Sequence, residues 1–154
     1  MSDTQTGFTE AERDAMKQRA AELKSMKGVK GSAKKAKELE ACLAAIAGLE
    51  GTDRLIAERL HVIVSEEAPH LDAKTWYGFP TYAKDGKNIV FFQPAARFDA
   101  RYGSVGFEEH AALDAGEMWP VAYAVVTITA DVEEELRGLV RRAAGWTGVR
   151  DRRR

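Results

Sequence analysis

The sequence predicts an α+β domain of two layers, an antiparallel sheet of four to five strands with helices packed on one face. Helical periodicity fills the chain up to Glu67, β-rich runs follow from Lys74 to Ile128, and one amphipathic helix closes the order. Neither the strand-helix alternation of a parallel sheet nor an internal repeat is present. The Asp85-Gly86 pair between two β-rich runs marks a two-residue hairpin, because both positions of a type I′ turn need positive φ. A 154-residue chain hides roughly 70% of the surface its unfolded form exposes, so one core suffices without disulfides or metal.

The first helix is expected from Glu10 to about Met26, since Thr9 and Glu12 have capping-box spacing. Its apolar positions, Ala15, Met16, Ala20, Leu23 and Met26, are few among many charges, which predicts a helix lying on the domain as a detachable arm. Between Lys24 and Lys37 stand six lysines and no acid, interrupted by Gly28, Gly31 and Ser32, and this reads as a flexible basic linker. The second helix is placed at about Ala33 to Ala47 with the stripe Leu39, Cys42, Leu43 and Ile46. The third runs from about Asp53 to Glu67 with Thr52 as cap and Ile56, Leu60, Ile63 and Val64 buried.

Strands are expected over Lys74 to Phe79, Thr81 to Lys84, Lys87 to Gln93, Arg97 to Phe107 and Val121 to Ile128, with Glu108 to Gly116 available for a short helix. The last helix spans about Asp131 to Ala144 after Thr129 as cap, burying Val132, Leu136, Leu139 and Val140. The organisation is thus an arm and linker over 1–32, a domain over 33–145 and a basic tail over 146–154.

Hydrophobic residues are 45% and charged residues 31% of the chain, which excludes general disorder and collagen-like repeats. No apolar run approaches the roughly 20 residues of a membrane span, and the polar start lacks the order of a secretory signal. The expectation is a cytoplasmic protein with no membrane partner. A net charge of −1 gives no whole-molecule case for nucleic acid, and solvation accounts for the lysine run and the arginine tail.

Chemical motifs are sparse. Gly103-Ser104-Val105-Gly106 lacks the glycine spacing and strand-to-helix turn of a nucleophile elbow. The single cysteine, Cys42, falls on an apolar stripe and reads as core. His61, His70 and His110 show no ligand spacing. Glu109, His110, Asp114 and Glu117, like Glu66, Glu67, His70 and Asp72, read as solvated acids before they read as a metal site. No phosphate-binding glycine loop occurs. The chain is therefore read as non-enzymatic, with no cofactor.

The densest segment is Lys74-Thr75-Trp76-Tyr77-Gly78-Phe79-Pro80-Thr81-Tyr82, with four aromatic residues in nine. As a continuous strand it would set Trp76 on one face and Tyr77 with Phe79 on the other. An aromatic groove rimmed by Gln93, Arg97 and Arg101 would suit a small planar or anionic ligand. The candidate ligand site is accordingly Trp76, Tyr82, Arg97, Tyr102 and Trp119, serving an unidentified small molecule or protein partner.

KTWYGFPTY, the strand KNIVFFQ after its DG turn, RFDARYGSVGF and the helix TITADVEEELRGLVRRA together resemble the YdhG-like family, a domain of unknown function (1801), over about Leu39 to Ala144. Tyr77, Gly78, Phe79 and Pro80 form the most specific element. The resemblance implies a bacterial, two-layer domain with secretion-chaperone-like architecture. Some members are described as frataxin-like iron chaperones, which implies an alternative role in binding iron through surface carboxylates. Many members carry a lysine after the central strand where this chain has Arg97.

Overall fold

The computed structural model describes residues 7–145. Four helices, α1 (Glu10–Ser25), α2 (Gly31–Ala47), α3 (Gly51–Glu67) and α4 (Ala130–Ala143), accompany five strands, β1 (Asp72–Trp76), β2 (Phe79–Lys84), β3 (Lys87–Gln93), β4 (Gly103–Phe107) and β5 (Ala122–Val125). The strands form an antiparallel meander in the order β1-β2-β3-β4-β5. The architecture is the α+β arrangement that the order of helical and β-rich runs predicts.

Local chemistry sets the helix ends. Thr9 Oγ1 accepts from the Glu12 amide while Glu12 accepts from Thr9 N, both near 3 Å, so the capping box starts α1 where its spacing places it. Thr129 caps α4 through its hydroxyl alone, which accepts from Val132 N at 3.2 Å. Thr52 does not cap α3: the helix begins two residues before the expected Asp53, at Gly51, with Glu50 at its N-cap and no side-chain bond. The lysine-rich stretch also differs from expectation. Because α2 begins at Gly31, two residues before the expected Ala33, the connection after Ser25 is only residues 26–30, and Lys34, Lys35 and Lys37 sit on the helix expected from Ala33 and not in a linker reaching Lys37. Lysine is a good helix former, so its charge removes burial and not helicity.

Segment KTWYGFPTY is not a continuous strand. Tyr77 and Gly78 adopt φ of 56° and 81° and reverse the chain, so β1 and β2 form a hairpin with Trp76 opposite Phe79. Asp85 and Gly86, at 51° and 82°, make the second such turn, as their residue types predict. The run from Arg97 to Phe107 is broken too: Ala95–Phe98 is a 3-10 helix, Asp99 turns left-handed, and only Gly103–Phe107 pairs. Asp53, near the start of α3, holds this turn by accepting from the amides of Ala95 and Ala96 at 2.9 and 3.0 Å. Glu108 to Gly116 forms turns and no helix.

The main core lies between the helices and one sheet face. Cys42 and Ile46 from α2, Ile56, Leu60 and Ile63 from α3, and Leu136, Leu139 and Val140 from α4 meet Tyr82, Val90, Phe92, Val105, Phe107 and Val125. Leu39 and Leu43, expected on the buried stripe of α2, are 41% and 45% exposed, because α2 lies over the sheet margin formed by β1 and β2. The register of β2 with β3 shifts between Tyr82 and Ala83. This bulge lets consecutive Ile89 and Val90 both enter the core, where regular alternation would send one outward.

On the other face, Phe79 and Phe91 stack at 6.3 Å, with Trp76 edge-on to Phe91 and Phe98 edge-on to Phe79. α3 and α4 are further joined across their outer surfaces. Arg59 holds Glu133 in a fork of 3.0 and 2.6 Å, Arg137 bonds Glu66, Glu67 and Glu133, and Arg141 bonds Glu67. Hydrogen bonds from Arg59 and Arg137 hold the Glu133 carboxyl down at about 2.

A cationic cleft beside the first hairpin turn

α1 touches β1 and the 3-10 helix, and its contact with the domain is organised by one carboxylate. Glu22 accepts from the amides of Tyr77, at 3.0 Å, and Gly78, and pairs with Arg19 at 3.2 Å. A reversing turn leaves successive N–H groups pointing one way, and a carboxylate is the natural acceptor for them. Arg97 approaches from the 3-10 helix, donates to Tyr77 O at 2.8 Å, and lies over the Phe79 ring at 5.1 Å. The turn is clamped from both sides. Gly78 is favoured by its positive φ, and a Cβ there would come within 2.7 Å of the Arg97 guanidinium and displace it from its place against the turn.

A cleft of about 640 Å³ opens between α1, α2 and this turn. Its wall from α2 is small and apolar, with Ala41, Ala44 and Ala45, and its polar lining holds four cations, Arg19, Lys34, Lys74 and Arg97, against two carboxylates, Glu22 and Glu38. Glu22 is already committed to two amides and Arg19. Lys74 is half-buried, and among the described residues its ammonium makes no hydrogen bond or ion pair. Burial first, then the like charges of Arg19 and Lys34, push its pKa below the usual lysine value against the pull of Glu38 and Glu22. Burial also lowers the pKa of Arg97, opposed by Asp14 and Glu22, but a guanidinium stays charged. Partly desolvated positive charge beside apolar walls, with no carboxylate among the described residues bonded to Lys74, is suited to a small anion.

Of the residues the sequence singles out, Arg97 lies in this cleft and the rest are dispersed. Trp76 is half-buried on the outer face of the sheet, edge-on to Tyr77. Tyr82 is 1% exposed and faces the helices, packed with His61 and Cys42. The reversal at 77–78 explains the separation: Trp76 shares a face with its partner Phe79, and three further residues carry Tyr82 to the opposite face. Tyr102 lies under the Arg101 guanidinium at 5.1 Å. Trp119 lines a different depression, of about 510 Å³, with Phe107, Leu113 and Glu117. Arg19, Glu22, Lys34 and Lys74 escape sequence reasoning because three of them stand on segments read as arm or linker. Lys74 heads the quoted motif, yet its burial leaves no mark in sequence.

Among the described residues, no three His, Cys, Asp or Glu side chains are placed to hold a metal ion. Glu66 and Glu67 are consumed by Arg137 and Arg141, and His70 Nε2 lies 2.9 Å from Ala144 O. No helix among these residues is long and apolar enough to cross a membrane. In comparisons with known proteins, no family model, no curated protein and no solved structure matches the chain.

Proposed function

We propose that this protein is a non-enzymatic binding module of the YdhG-like type, and that its ligand is a small anion with an apolar body, held between α1, α2 and the Tyr77-Gly78 turn. The observation that carries the reading is Lys74, a half-buried ammonium without a partner in a cleft where cations outnumber carboxylates four to two. An anionic group would meet Lys74, Lys34 and Arg97, while the alanine wall of α2 would take the apolar part. No histidine or cysteine lines the cleft, so the lining favours capture over proton transfer.

Titration with benzoate, and with benzamide as its neutral counterpart, tests the proposal by calorimetry. Benzoate should bind and benzamide should not, and Lys74→Met should weaken benzoate at least about tenfold, the ratio that 1.4 kcal/mol represents. The bound form needs protonated Lys74, whose pKa lies below the ordinary value of 10.5, so affinity should fall as pH rises through that lowered pKa, at lower pH than for an ordinary lysine. Equal binding of both probes, or no effect of the substitution, would overturn the proposal.

A further inference from the structure

A third cleft, of about 410 Å³, lies between α2, α3 and β1, separate from the cationic one. Leu39, Val64, Ala68 and Leu71 give it apolar walls, and His61 and Tyr82 supply its inner polar atoms. Its one lysine and one carboxylate, Lys35 and Asp72, pair with each other at 3.7 Å with much of each side chain exposed. The lining thus offers no uncompensated charge, which selects against ions and for a neutral occupant.

We propose that this cleft binds a small neutral molecule with an apolar body and one hydrogen-bond acceptor, anchored by the Nε2–H of His61. The proton position follows from the residues beneath it. Tyr82 is buried, its hydroxyl lies 2.9 Å from His61 Nδ1, and the Cys42 thiol donates to the same hydroxyl oxygen at 3.9 Å. Burial raises the thiol to about 11 and keeps the phenol protonated as well. The phenol has one proton to donate, and Nδ1 at 2.9 Å is a much closer and stronger acceptor than the thiol sulfur at 3.9 Å, so the phenol proton goes to Nδ1 and the imidazole proton is left on Nε2. Burial lowers the His61 pKa, which keeps the ring neutral. Nε2 has no polar partner among the described residues, so the relay ends in a single oriented donor at an apolar cleft. A ketone, ether or aryl carbonyl compound satisfies that donor; a hydrocarbon of the same shape does not.

The full chain, labelled with 15N at histidine and 13C at methyl groups, tests this by nuclear magnetic resonance with acetophenone and ethylbenzene as probes. Acetophenone should shift the Leu39, Val64 and Leu71 methyl signals together with the His61 Nε2 resonance, and should bind about fivefold more tightly than ethylbenzene. His61→Phe should remove that preference while leaving the methyl contacts. His61→Gln, which restores a donor, should recover part of it and guards against loss through misfolding alone. Equal affinity for the two probes, shifts confined to other parts of the molecule, or a His61 Nε2 signal that shows no attached proton would each overturn the proposal.

Discussion

Two turns of nearly identical backbone shape join the first three strands, yet they occupy opposite situations. Tyr77-Gly78 and Asp85-Gly86 both place two residues at positive φ, within a few degrees of each other. At Gly86 a Cβ would meet nothing within 4 Å, whereas at Gly78 it would strike Arg97 and press on Gln18. The second turn only reverses the chain. The first also receives Glu22 from α1, presents its carbonyl to Arg97 and forms one wall of the cationic cleft. Turn type is therefore a local property, and function attaches to whatever the rest of the chain brings to the turn.

Substitutions separate these roles. Gly78→Val should be the most damaging, because left-handed strain of ~1–2 kcal/mol adds to overpacking of similar size against Arg97. A total near 3 kcal/mol corresponds to roughly 9 °C in the thermal midpoint of a chain this long. A loss no greater than that of Gly86→Val would mean that Arg97 moves aside freely. Glu22→Gln comes next: it keeps the shape but replaces a charge-assisted acceptor by an amide whose NH2 opposes one of the two turn amides, for about 1–2 kcal/mol. Denaturant unfolding should show that loss, and an unchanged midpoint would show that the carboxylate is dispensable at the turn. Gly86→Val should carry the backbone strain alone, ~1–2 kcal/mol, with benzoate binding untouched. If Gly86→Val also impaired binding, the functional division between the turns would collapse.

The contrast also shows what a sequence discloses. Asp85-Gly86 is legible because both residue types tolerate positive φ and signal it. Tyr77-Gly78 is hidden because an aromatic residue in the left-handed region is rare and tyrosine reads as strand. Helix starts that depend on local hydroxyls, at Thr9 and Thr129, are equally readable. The start of α2, with no side-chain cap, is not. Arg97 could be singled out as a cation near an aromatic segment. Its partners could not, since Glu22 lies 56 residues before Gly78 and only the docking of α1 joins them. The stripe on α2 over-counted the core for a related reason: periodicity shows which residues share a face, and not how far the neighbouring layer reaches over it.

The meander order bears on how quickly the molecule can assemble. Each strand hydrogen-bonds to its neighbour in the chain, so the sheet can close through short loops with little entropy lost at each step. The α3–α4 ion network instead unites residues 74 apart, such as Arg59 and Glu133, and Arg141 and Glu67. Its closure requires the whole intervening sheet to be in place or a long loop to be restrained. Among the hydrogen bonds described, none spans a longer stretch of chain than those of the α3–α4 network, which reach beyond the 56 residues between Glu22 and Gly78, and the entropy of closing them exceeds that of pairing neighbouring strands.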